Sequence, residues 1–174
     1  MRIALGIGAA ALAFAASGLV AQTVADDGAL RIRAVMQDAV NPAILTIWDV
    51  GNNAMSDDGG IDPELMTDES WDRLAHASAE LVEASRMIAA ADKISAAAPD
   101  NMGTAEGEIS MEDVQRYIDN DTDGLRELAL EQAAHAEKLL AAARAKDAAT
   151  AGDLVAGMDL VCESCHARYW YPEG

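Results

Sequence analysis

The sequence predicts an all-α protein, an antiparallel up-down four-helix bundle. Alanine is abundant and aromatic residues are scarce, and no segment shows the alternating β-branched pattern of a strand. Four segments repeat apolar residues at spacings of three and four, and polar or turn-forming stretches separate them. Helices of about 20 to 30 residues span roughly 30 to 45 Å. Four of comparable length joined by short-to-moderate loops pack most simply side by side in alternating directions.

The first 22 residues, MRIALGIGAAALAFAASGLVAQ, are set apart from that fold. One positive charge at Arg2 precedes an apolar run and then small residues, the layout of a secretory signal peptide. Residues 1–21 are expected to be cleaved, with Ala25 as a second cleavage position, leaving 22–174 as one domain. The run is long enough to be a membrane anchor, but its Ala and Gly content makes it weakly apolar. No stable membrane span is therefore expected after cleavage. The chain carries 12 Lys and Arg against 30 Asp and Glu, a formal net charge of −18. That excess opposes nucleic acid and anionic membranes as partners and favours basic ones.

The first predicted helix covers 28–50, with Leu30, Val35, Met36, Val40, Ala43, Ile47 and Val50 on its apolar side. Pro42 lies inside it and is expected to kink or divide it near Asn41. The second covers 67–98. Thr67 is its N-cap, Asp68 and Glu69 sit where the helix dipole favours negative charge, and Pro99 is its stop. Trp71, Leu74, Ser78, Leu81, Ser85 and Ile88 mark its inner stripe. Ser110 is expected to cap a short helix through Tyr117. The third long helix covers 122–147, with Leu125, Leu128, Gln132, His135, Ala136, Leu139 and Ala143 inward. The fourth begins near Thr150, where Thr150 and Asp153 are spaced like a capping box. It carries Leu154, Met158, Val161, Cys162 and Cys165 on one side.

The fourth helix ends in CESCHARYWY, which holds the only two cysteines of the chain. Cys-x-x-Cys-His is the spacing for covalent haem attachment. Two thiols three residues apart reach the two vinyl groups on one edge of a porphyrin, and the adjacent imidazole meets the iron. Cys162 and Cys165 are thus read as thioether anchors of one haem c, and His166 as the proximal iron ligand. Such attachment takes place outside the cytoplasm, in agreement with the signal peptide and a bacterial periplasmic location. Three other readings fit less well. A thiol–disulfide centre usually accompanies a βαβ pattern. A zinc site lacks a second cysteine pair. A disulfide here closes too short a loop to stabilise much.

The motif at the end of a four-helix pattern resembles the cytochrome c′ family and its low-spin relatives, the class II c-type cytochromes. The specific likeness lies in AAARAKDAATAGDLVAGMDLVCESCHARY, where an Ala-rich helix end and Asp147 precede C-x-x-C-H-x-x-Y with Tyr169. The rest of the likeness is one of layout. It implies that the first helix covers the distal face of the haem. Met36 is then the candidate distal ligand, giving a low-spin electron carrier. If Arg31 rather than Arg33 aligns with the arginine of family members, Val35 faces the iron instead, and the protein is a five-coordinate binder of NO or CO. Arg33 and Tyr169 are candidate haem contacts, the arginine through a propionate. The family often carries a basic residue four positions after the ligand histidine; here it is Trp170, so a proximal gas-handling role is not carried over. His76, His135, Met87 and Met158 are read as surface, flank or packing residues. Redox proteins, basic ones among them, are the expected partners, and the family also implies a homodimer. A third reading makes the chain a haem-bearing subunit of a larger oxidoreductase. The sequence offers no nucleophile–base pair or phosphate loop, so it reads as a carrier rather than a catalyst.

Overall fold

The structure is a computed structural model that describes residues 28–57, 59–104 and 109–171. The expected signal peptide lies outside the described residues. The chain is mostly helical. In order it forms β1 (Leu30–Arg31), α1 (Ile32–Val35), a π turn (Met36–Val40), α2 (Asn41–Asn53), α3 (Asp68–Ala90), β2 (Ile94–Ser95), α4 (Met111–Asn120), α5 (Thr122–Ala145), α6 (Ala148–Ala156) and α7 (Met158–Tyr169). Helix α3 packs along α5 and against α2; α5 also meets α6 and α7, and α2 touches α6. No helix among the described residues is long and apolar enough to cross a membrane.

Most residues of the predicted stripes on the two long helices are buried, whereas Leu128 and His135 are half-buried. Trp71, Leu74, Ser78, Leu81, Ser85 and Ile88 of α3 are all buried, as are Leu125, Gln132, Ala136, Leu139 and Ala143 of α5. Each large aliphatic side chain among them contributes about 1.5–3 kcal/mol by leaving water. Two serines enter this core because each hydroxyl bonds the carbonyl one turn back, Ser78 to Leu74 and Ser85 to Leu81, both at 2.7 Å.

The first helical run divides at Asn41, as expected, where a π turn gives way to α2. Pro42 occupies the first turn of α2, yet the backbone stays helical through Val40 and Asn41. Proline has no N–H to donate, and its ring crowds the carbonyl four residues back, that of Asp38. The helix relieves both by widening over Met36–Val40. Upstream, Leu30 is buried as expected but belongs to a two-residue strand, an element the sequence reading did not foresee.

The second helix ends at Ala90, well before Pro99, and the correction has a clear cause. The Arg126 guanidinium donates to the carbonyls of Ala91 at 2.8 Å and Asp92 at 3.2 Å, capping the helix end from α5. The following segment is then extended and pairs in parallel with β1, Leu30 against Ile94 and Arg31 against Ser95. Gln115 of α4 holds it by accepting from Ala96 N at 2.7 Å.

Local capping is otherwise as expected at Thr67 and Ser110, whose hydroxyls accept from Ser70 N and Asp113 N. The fourth helix differs. Its N-cap is Asp147, not Thr150; Asp147 accepts from Thr150 N at 3.1 Å and from the Thr150 hydroxyl at 2.7 Å. A carboxylate outcompetes a hydroxyl for these donors, and the bonds hold its pKa below the usual value. The third helix stops two residues early because Lys146 turns into the left-handed region, φ 55°. The fourth is broken at Gly157, between α6 and α7. Beside that break His135 Nε2 lies 2.8 Å from the Leu154 carbonyl oxygen, tying α5 to α6.

Candidate functional site

Helix α7 presents the motif. Met158 and Tyr169, near its two ends, are buried and pin it to the core. Cys162, Cys165 and His166 are related by three and four residues, so they share one face, and all three are half-buried. That face borders two adjoining cavities of about 210 Å³ each. Met36, Asn41, Leu125, Cys165 and His166 line both, so they form the waist of a single cleft. One half is closed by Val114 and Ile118 of α4 together with Tyr169, Trp170 and Tyr171. The other is more apolar, with Ile44, Leu45 and Trp48 of α2, Ile88 of α3 and Ala129 of α5 around Cys162.

The π turn explains how Met36 and Asn41 come to share the waist. In a regular helix, residues five apart point to different sides. A widened turn closes i to i+5 and brings them into line. Val35, the alternative distal residue, is fully buried in the core and lines neither cavity. Arg33 lines the first cavity, and its Nη1 donates to the carbonyls of Asn101 at 3.2 Å and of Gly103, fastening the 101–103 segment beside the cleft.

The thiols are free, and burial pushes both up to about 11; Asp159 adds to the shift at Cys162, while the neighbouring Cys162 and then Glu131 add to it at Cys165. A raised value means that the neutral thiol persists in alkaline solution. In the haem-free folded protein, iodoacetamide alkylation is therefore expected to keep accelerating toward pH 11, whereas in the denatured chain it levels off near the ordinary value of 9.0. A stopped-flow pH profile with and without denaturant checks this.

The Tyr169 ring faces the first cavity, while its hydroxyl is 2.8 Å from the Asp121 carbonyl oxygen and 3.1 Å from Oδ2. Burial, with that bonding, raises its pKa above the usual phenol value. Asp121 also pairs with Arg168 and caps α5 through Gly124 N. The end of α7 is thus bolted to the α4–α5 junction. The helix stops there, and Trp170 N and Tyr171 N both donate to the His166 carbonyl, at 2.8 and 2.7 Å. The Tyr171 ring stands edge-on to the His166 imidazole, centroids 6.2 Å apart.

The remaining sequence candidates lie elsewhere. His76 is exposed, 3.3 Å from Glu80. Met158 is fully buried, and Met87 packs against the core. Asn41 and Gln132 were not singled out as cleft residues. Gln132 carried one signal, an amide at a position of α5 whose neighbours on the same face are apolar.

The residues of the cleft fit a haem by their chemistry. Two thiols and an imidazole on one helix face, and a thioether on another element, border the same largely apolar space. Apolar walls accept a flat macrocycle, and a soft thioether suits haem iron opposite an imidazole. No known protein family, curated protein or solved structure matches this chain, so the reading of the cleft rests on its residues alone.

Proposed function

We propose that this chain is an exported, periplasmic monohaem c-type cytochrome that carries electrons. The observation that carries the proposal is that Met36 and His166, far apart in sequence, line both halves of one cleft beside Cys165. In this reading Cys162 and Cys165 hold the haem through thioethers, His166 is its proximal ligand and Met36 its distal ligand. When bound, haem c supplies reversible one-electron chemistry. The chain's own residues orient it and exclude water. Ile44, Trp48 and Ile88 furnish apolar wall, which favours the less charged reduced state. Arg33 and Tyr169 border the first cavity as candidate contacts, Arg33 with guanidinium donors for a propionate.

The same reading takes the helical run 32–53, α3, α5 and the α6–α7 pair as the four members of an antiparallel up-down bundle. The packing of α3 with α5 and α2, and of α5 with α6 and α7, supports it. The redox partner carries a basic face that complements the net charge of −18, and two copies pair through the first two helices.

The experiment is the optical spectrum of the holoprotein with and without CO. A ferric thioether–iron charge-transfer band and a ferrous spectrum unmoved by CO are expected. A high-spin ferric spectrum with rapid CO binding would instead assign the five-coordinate, gas-binding role.

A further inference from the structure

The chain doubles back on His166 just after α7. The helix ends at Tyr169, and the His166 carbonyl accepts from two amides at once, Trp170 N at 2.8 Å and Tyr171 N at 2.7 Å. In a straight helix a residue five positions on stands about 140° round from the first. Here the second bond turns the chain back, and Tyr171 and His166 border the same cavity. The Tyr171 ring stands at 89° to the imidazole, with centroids 6.2 Å apart, within the range of edge-to-face packing. Among the described residues the imidazole makes no hydrogen bond or ion pair, and Tyr171 is its one ring neighbour. Tyr171 is 44 % exposed, so the core does not use it as filler. A ligating imidazole is ordinarily held in one orientation by an outer partner, and that partner tunes the metal.

We infer that Tyr171 is a positioning residue for His166: its ring, tied to the His166 carbonyl through the backbone, fixes the rotation of the imidazole and so the plane in which it meets the haem iron. The inference rests on the cytochrome reading, and within it only on His166 as the proximal ligand. It holds whether Met36 closes the sixth position or leaves it open. The contact is between rings, so phenylalanine serves in place of tyrosine and alanine does not.

The test uses the full-length holoprotein matured by export, as wild type, Tyr171→Phe and Tyr171→Ala. Intact mass first reads covalent haem in each. Proton magnetic resonance of the ferric proteins then gives the paramagnetically shifted haem methyl resonances, whose order and spread follow the plane of the axial imidazole. Nuclear Overhauser contacts between the Tyr171 and His166 rings are sought in the ferrous wild type, with CO added if its iron is five-coordinate, so that the iron is diamagnetic. The expected result is ring-to-ring contacts in the wild type, a wild-type methyl pattern in Tyr171→Phe, and a changed order or spread in Tyr171→Ala. A wild-type pattern in Tyr171→Ala, a change in Tyr171→Phe as large as that in Tyr171→Ala, or no ring-to-ring contact in the wild type overturns the role. The wild-type contacts decide it even where a variant fails to fold or to take up haem. Absence of covalent haem from the wild type overturns the cytochrome reading itself, and Tyr171's role with it.

Discussion

Replacing Cys162 and Cys165 together by alanine is expected to leave a folded, helical chain from which all haem is extracted by acid and organic solvent. The wild type is expected to keep its haem through the same treatment. Covalent retention requires at least one thioether, and these are the only two cysteines of the chain. Each single variant should retain one bond and still stain for haem after denaturing electrophoresis. The fold should tolerate the change because the two thiols are half-buried at the edge of the cleft, whereas the anchors of α7, Met158 and Tyr169, are untouched. Intact mass and far-ultraviolet circular dichroism check both halves of the expectation; haem retained by the double variant would refute it. The raised thiol values argue in the same direction. A thiol–disulfide oxidoreductase needs an accessible, low-pKa thiolate, and burial moves both of these thiols the other way, up to about 11.

Met36→Ala is expected to abolish the thioether–iron band, convert the ferric protein to high spin, and open the ferrous protein to CO. Met36 is the thioether that lines both halves of the cleft with His166. Met36 is half-buried, so the cost in stability should fall below the roughly 2–5 kcal/mol of a fully buried Met→Ala change. Thermal unfolding of the haem-free form measures that cost apart from iron ligation. Met87→Ala is the control. Met87 packs against the core away from the cleft, and its removal should leave the spectrum unchanged. Persistence of the band in Met36→Ala would remove Met36 from the iron.

Much of the fold was legible because helix faces are local. The stripe on α3 and the inner face of α5 depend only on residues three and four apart, and the burial of Leu74, Leu81, Leu125 and Leu139 follows the pattern. The caps at Thr67 and Ser110 depend on a donor three residues away. What failed depended on distant partners. Nothing near Ala90 announces the end of α3; Arg126 supplies that cap from 35 residues further along the chain. Asp147 displaced Thr150 as a cap because two adequate acceptors competed and the charged one won. The division of the fourth helix at Gly157 accompanies the approach of His135 to Leu154, again a contact between helices.

The candidate site divides along the same line. By itself the sequence determined which residues share the face of α7, because Cys162, Cys165 and His166 lie within one helical turn, and it narrowed the opposing residue to Met36 or Val35. Only the tertiary structure shows where each lies, Met36 on the cleft and Val35 in the core. The widened turn before Pro42 set the rotation of the first helix, sending Val35 into the core and Met36 to the cleft. The tertiary structure likewise brought Gln132 of α5 to the cleft wall beside Ser85 of α3. Periodicity encodes which side chains stand together on one helix; which faces of different helices meet is set by packing, and packing is a property of the whole chain.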